Sequence, residues 1–194
     1  MKIIGFIGSP RKEGNTAWIV NRILEGSKEQ GAETGVWGSS DLDIKPCQGC
    51  LGCHKGDQDE GCIIKDDMQK LYVALEQADA LVLGSPIYMG QMSGQAKIFT
   101  DRLFAQISPR FSPHYKENAR KKKLILVFTQ GNPDSGMFKV YIDYTKQMFE
   151  LLEFDVEEVV VVAGMRNEPA HERKDLHTAM KDIGSSLVSK QSPE

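Results

Sequence analysis

"KIIGFIGSPRKEGNTAWIVNRIL", residues 2–24, changes hydrophobic period within a single turn. Residues 2–8 form an apolar run of strand length. From Thr16 onward, Ile19, Val20, Ile23 and Leu24 recur at helical spacing and predict a helix over 16–30. The chain repeats this alternation. Strands are predicted at 34–39, 78–86, 123–129 and 156–164, and helices at 66–78, 94–106, 139–153 and 171–190. Five strands alternating with five helices predict an α/β fold, a doubly wound five-stranded parallel sheet with helices on both faces. No repeat or linker divides the chain, so one domain is expected over 1–190, carrying an aperiodic cysteine-rich loop at 44–63 after the second strand. Loops of that length without secondary structure are uncommon and usually functional.

A chain of 194 residues can bury one substantial core, and 26% charged residues is ordinary for a soluble protein. The net charge of −3 offers no basic field for nucleic acid or an anionic membrane. "MKIIGFIG" lacks the length and flanks of a signal peptide, and no apolar run approaches a membrane span. The expectation is a cytoplasmic protein whose thiols stay reduced, which disfavours structural disulfides.

In such sheets ligands bind beyond the carboxyl ends of the strands, so three turns draw notice. "GSPRKEGNT" (8–16) is neither a dinucleotide fingerprint nor a Walker loop. It places Ser9, Arg11, Gly14, Asn15 and Thr16 at a helix N-terminus, where unpaired N–H groups suit a phosphate monoester. Plain helix capping by the same residue types is the competing reading. "GSPIYMGQMSG" (84–94) ends the third strand with a stiffening Pro86, apolar Ile87, Tyr88 and Met89, and Gly90. It could hold a planar ring or be a tight surface turn. "TQGNPDSG" (129–136) offers Thr129, Gln130 and Gly131 after the fourth strand.

All four cysteines fall in "PCQGCLGCHKGDQDEGC" (46–62), spaced Cys-x2-Cys-x2-Cys-x8-Cys as Cys47, Cys50, Cys53 and Cys62. Gly49 and Gly52 permit the tight curl that would make the first three thiols converge, and four thiolates are what a [4Fe–4S] cluster requires. Zinc usually takes two separated pairs, which this crowding fits less well, and His54 reads as a polar loop residue. A dithiol pair exchanging with disulfides stays open.

Taken together, these turns and cysteines resemble the flavodoxin-like NAD(P)H-dependent FMN reductase superfamily over about residues 1–165. They are most similar to its iron–sulfur flavoprotein branch. The resemblance implies strand order 2-1-3-4-5. It places Ser9, Arg11, Gly14, Asn15 and Thr16 on the FMN phosphate, and Pro86, Ile87, Tyr88, Met89 and Gly90 along the isoalloxazine. Thr129, Gln130 and Gly131 would lie near the ring's other edge. Cys47, Cys50, Cys53 and Cys62 would ligate a [4Fe–4S] cluster. Two features depart from the pattern: the last gap is longer, and Ile63 stands where bacterial ferredoxins carry proline.

The resemblance further implies an FMN-dependent oxidoreductase, homodimeric or homotetrameric. It would pass electrons between FMN, the cluster and a partner such as ferredoxin, with NAD(P)H as the other donor. The rivals are an NAD(P)H-dependent flavin, quinone or disulfide reductase without a cluster, a flavodoxin-like carrier, and a zinc-stapled interaction module. Other residues read more plainly. Asp66 and Asp67 are expected to cap a helix, Met137 and Met148 to pack, and "RKKK" (120–123) to be a solvated strand entrance. His114 and Tyr115 sit in a loop with no role fixed, and no arrangement suited to hydrolysis stands out.

Overall fold

Short β-branched and leucine-rich runs with almost no polar interruption suit strands buried on both faces, and three of them form the middle of the sheet. The structure, a computed structural model, describes residues 1–54, 61–107 and 121–189. His114, Tyr115 and Arg120 lie outside the described residues. The long strands are β1 (Lys2–Ile7), β2 (Glu33–Gly38), β3 (Ala80–Tyr88), β5 (Lys122–Thr129) and β6 (Phe154–Val162). They pair in parallel in the order β2-β1-β3-β5-β6. Counted along the chain without the short β4, this is the order 2-1-3-4-5 implied by the resemblance.

The strand count needs correcting. β3 continues two residues past Pro86 and folds back as β4 (Gln91–Met92), a two-residue antiparallel strand, making six strands among the described residues. Pro86 is tolerated because it sits near the strand end, where the ladder is about to finish.

The helices are α1 (Asn15–Glu29), α2 (Met68–Gln77), α3 (Gly94–Arg102), α4 (Phe104–Ile107), α5 (Lys139–Leu151) and α6 (Lys174–Ser189). The predicted helix over 94–106 is thus two, broken after Arg102. Period-two alternation divides the core. Ile3, Ile7, Ala80, Val82, Ile125 and Val127 face α1 and α6, whereas Ile4, Phe6, Leu81, Leu83, Leu126 and Phe128 face α2, α3 and α5. The α1 side has the smaller residues, and α1 lies close on the sheet. A Cβ on Gly5 would stand 2.8 Å from Leu24 Cδ1.

α6 packs on α1 with almost no side chain between. A Cβ on Gly184 would overlap the Ile23 carbonyl oxygen, and one on Gly26 the Lys181 carbonyl oxygen. The buried Ser27 hydroxyl donates to the Gly184 carbonyl at 2.9 Å, and Ser185 donates to that of Gly26 at 3.3 Å. Lys181 pairs with Glu25 and Glu29 at the rim. No helix among the described residues is long and apolar enough to cross a membrane.

Candidate functional site

Four turns gather above the carboxyl ends of the strands, and backbone bonds join them. Gly8 N donates to Gly84 O at 2.8 Å, and the Ser93 hydroxyl donates to Gly8 O, tying the first turn to the β3–β4 hairpin. Ser93 N donates to Ser85 Oγ at 2.9 Å, and Ser93 Oγ caps α3 by accepting from Ala96 N. The Thr16 and Thr129 hydroxyls, both buried, lie 2.7 Å apart and link the first turn of α1 to the end of β5.

The start of α1 bears on the choice between capping and anion binding. Its N-cap is Gly14; among the described residues no side chain caps it, and no acidic residue stands in its first turn. The Ser, Asn and Thr that could have capped it are engaged elsewhere. Ser9 Oγ accepts from Arg11 N at 3.2 Å, Asn15 Oδ1 accepts from Ala170 N at 2.9 Å, and Thr16 faces Thr129. The first N–H groups of α1 therefore remain open to an anion, with Arg11 exposed beside them.

The β3–β4 hairpin turns on Met89 and Gly90, both with positive φ (49° and 81°), as the tight two-residue hairpin loops require. Gly90 accepts that conformation freely. Met89 does so at a cost, and its side chain is fully exposed while Ile87 is buried. Tyr88 is half exposed beside it. A strained, exposed apolar residue over a strand end is the kind of outlier that motivates a functional assignment.

Thr129 and Gln130 are directed inward, and only Gly131 faces solvent. Gln130 Nε2 donates to the Asp134 carbonyl at 2.6 Å and shapes the turn, whereas its buried Oε1 has no partner among the described residues. Sequence reasoning missed a fourth contributor, the turn after β6. Met165 N donates to Gln130 O, Ala170 N holds Asn15, and Arg166 lies against Gly131. Its only signal in the sequence was its place after a strand. Met137 is exposed rather than packed.

The cysteine loop leaves from the same end of the sheet, after β2. Gly49, Leu51 and Gly61 have positive φ, so the backbone curls through the left-handed region, with Leu51 an unforeseen participant. Gly52 lies against Ile63, so that a Cβ there would stand 2.8 Å from its side chain. Cys47 and Cys50 are exposed, Cys53 is partly buried and Cys62 is buried. Burial pushes the Cys53 thiol up, and the nearby charges of Cys62, Cys47 and Cys50 add to it. The donors thus fit a thiolate-ligated cluster in kind. Among the described residues, however, no three side chains are gathered as a metal would hold them. Cys47 borders a groove of about 620 Å³ between β4, α3 and α5, lined by Met92, Phe104, Tyr141, Tyr144 and Phe149.

Asp66 does more than the capping expected of it. Its Oδ1 accepts from Met68 N at 3.0 Å, and its Oδ2 accepts from Lys45 N at 2.9 Å, bridging the two ends of the loop. Asp67 stands at the N-cap of α2 without capping it, and accepts from Asp43 N instead.

The profile of the NADPH-dependent FMN reductase family matches residues 1–168. An iron–sulfur flavoprotein of Methanocaldococcus jannaschii is 42% identical over 103 residues, 53% of this chain and 51% of that protein. One from Methanosarcina thermophila is 41% identical over 102 residues, 53% of this chain and 52% of its own length. The chain thus spans about half the length of the curated relatives it matches. Among solved structures, an NAD(P)H:quinone oxidoreductase from Methanothermobacter marburgensis superposes with a TM-score of 0.70 at 15% identity, covering 99% of each chain. An FMN-dependent NADH-azoreductase from Bacillus anthracis gives 0.64 at 13%, covering 96% of this chain and 98% of its own. At such identities the likeness is one of fold.

Proposed function

The chain belongs to the NADPH-dependent FMN reductase family, and we propose that it is an FMN-dependent oxidoreductase of the iron–sulfur flavoprotein type. The observation that carries the flavin reading is the uncapped start of α1, whose potential caps are all engaged elsewhere. The α1 N–H groups with Ser9 and Arg11 would hold the FMN phosphate. The Thr16–Thr129 bond would keep α1 and β5 in register beneath it. Pro86, Ile87, Tyr88, Met89 and Gly90 would offer the ring a hairpin with apolar surface, and Thr129, Gln130 and Gly131 would border its far edge.

Bound there, FMN would supply one- and two-electron transfer, and a [4Fe–4S] cluster on Cys47, Cys50, Cys53 and Cys62 one-electron transfer, linking a nicotinamide donor to a partner such as ferredoxin. The protein's part is to orient these groups, to exclude water from beneath the ring and to hold the sulfurs at one place. Cluster binding is supported by the cysteine spacing and by what the relatives are called.

One observation favours a second reading, an NAD(P)H-dependent flavin or quinone reductase without a cluster. No three thiols are gathered at metal-binding separation among the described residues. Protein purified without oxygen separates the two. FMN, iron and acid-labile sulfide are measured per chain, followed by reduction of the flavin with NADH, NADPH or ferredoxin. Iron and sulfide at four each per FMN support the first reading. FMN alone, with rapid reduction by a nicotinamide, selects the second, and absence of FMN removes both.

A further inference from the structure

Arg102 is an arginine in an apolar place. It is the last residue of α3 and 1% exposed, the largest fully buried side chain among the described residues. Its guanidinium closes onto Asp66, whose side chain is equally buried, through Nη1 to Oδ2 at 2.6 Å and Nη2 to Oδ1 at 3.2 Å. The same two nitrogens reach one carbonyl on each side of the cysteine loop, Lys45 O at 2.8 Å and Ile64 O at 3.4 Å. Asp66 in turn accepts from Lys45 N. Around this centre Gln69 Nε2 donates to Ile64 O at 2.8 Å and to Cys62 O at 3.3 Å. The Tyr72 hydroxyl donates to the Arg102 carbonyl at 2.9 Å. Nε of Arg102 is buried and has no partner among the described residues.

Burying an ion pair rarely adds net stability, so its presence calls for another explanation, and a fixed geometry is the best-attested one. A planar fork of five donors can bind a carboxylate and two carbonyls at once, which an ammonium cannot. We propose that Arg102, locked by Asp66, is the positioning residue of the four-cysteine loop. It joins residues 45 and 64 across the loop's base and sets Cys62 in place before any metal arrives, leaving Cys47 and Cys50 outside to close over it. The identity of the metal group rests on the cluster reading above; the clamp itself belongs to the bare chain.

The test therefore starts with iron-free protein. Peptide-resolved alkylation with N-ethylmaleimide gives a rate for each cysteine, normalised to the unfolded chain. In the unaltered protein Cys62 should react at least about tenfold more slowly than Cys47 and Cys50, because it must wait for local opening. Arg102→Met and Asp66→Asn should each bring Cys62 to within about threefold of Cys50, with far-UV circular dichroism and FMN affinity retained. Arg102→Lys should fall between, since it keeps the charge and loses the fork. After anaerobic reconstitution, both Arg102→Met and Asp66→Asn should hold less than about half the iron and sulfide of the parent at equal FMN.

Slow Cys62 alkylation in both variants overturns the proposal. So does full protection in Arg102→Lys, which would make charge alone sufficient. Loss of secondary structure and FMN affinity in both variants also overturns it, because the pair would then be a general core element. If the parent takes up no iron and sulfide, the cluster reading fails while the alkylation rates still judge the clamp.

Discussion

Gly184→Ala sets two familiar effects against each other. Replacing an interior helical glycine by alanine ordinarily stabilises by about 1 kcal/mol through helix propensity. Here the new Cβ would lie 2.9 Å from both the Ile23 carbonyl carbon and the Ser27 amide nitrogen, and closer still to the Ile23 oxygen. Those atoms belong to the backbone of α1, so no rotamer change relieves the overlap, and α6 as a whole must withdraw. Overpacking of this kind costs about 3 kcal/mol. The withdrawal also stretches the bond from Ser27 Oγ to Gly184 O, in which a fully buried hydroxyl is engaged, for roughly a further 1 kcal/mol.

Set against the propensity gain, the net loss is about 3 kcal/mol, or a melting temperature lower by roughly 6–12 °C for a chain of this size. Urea unfolding followed by far-UV circular dichroism measures it, and an unchanged m-value would confirm that compactness is retained. A variant as stable as its parent, or more stable, would show that α6 is not seated on α1 as described. α6 lies beyond the family match, which ends at residue 168.

Three further outcomes are expected. Thr16→Val should lose about 1–3 kcal/mol by leaving the buried Thr129 hydroxyl without its partner, and weaken FMN binding; adding Thr129→Val should recover most of the stability and none of the affinity, read by thermal melts and fluorescence titration. Met89→Gly exchanges relief of a left-handed φ against chain entropy, so stability should move by less than about 1 kcal/mol, whereas FMN affinity should fall several-fold; an unchanged affinity would take Met89 off the ring. Burial acts to raise the Asp66 carboxyl, but the Arg102 guanidinium and the Lys45 and Met68 amides outweigh it and hold the carboxyl below its usual range. A lowered folded value means that its stabilisation is present above the ordinary aspartate pKa of about 3.9 and lost as pH falls below it. The difference in urea midpoint between the parent and Asp66→Asn should thus be constant from pH 7 to 5 and shrink towards pH 3.

The parallel sheet was legible because each central strand is an apolar run bounded by a turn and each helix has one apolar face; its strand order came only from the resemblance. The first turn stood out for a related reason: more donors gather at one helix start than capping needs. The β4 return was not, since two residues carry no period and the cue was the pair Met89–Gly90, of which only the glycine advertises a left-handed turn. Nor was the partnership of Arg102 with Asp66. These residues are 36 positions apart, each has an ordinary local role at a helix end, and only the fold buries them together. Ser9, Asn15 and Thr16 do stand around the start of α1, but nothing in the sequence showed that their side chains were already committed to Arg11, Ala170 and Thr129.

Because Lys45 and Ile64 are fastened to Arg102 and Asp66, the two ends of the cysteine loop are held whatever the length of chain between them. Closing a longer flexible loop costs only about 0.6 kcal/mol per doubling of its length. A change in the number of residues between Cys53 and Cys62 is therefore expected to add little closure cost. A lineage with this clamp is free to vary the spacing of its last sulfur, and with it the surroundings of whatever the sulfurs hold, without renegotiating the fold beneath.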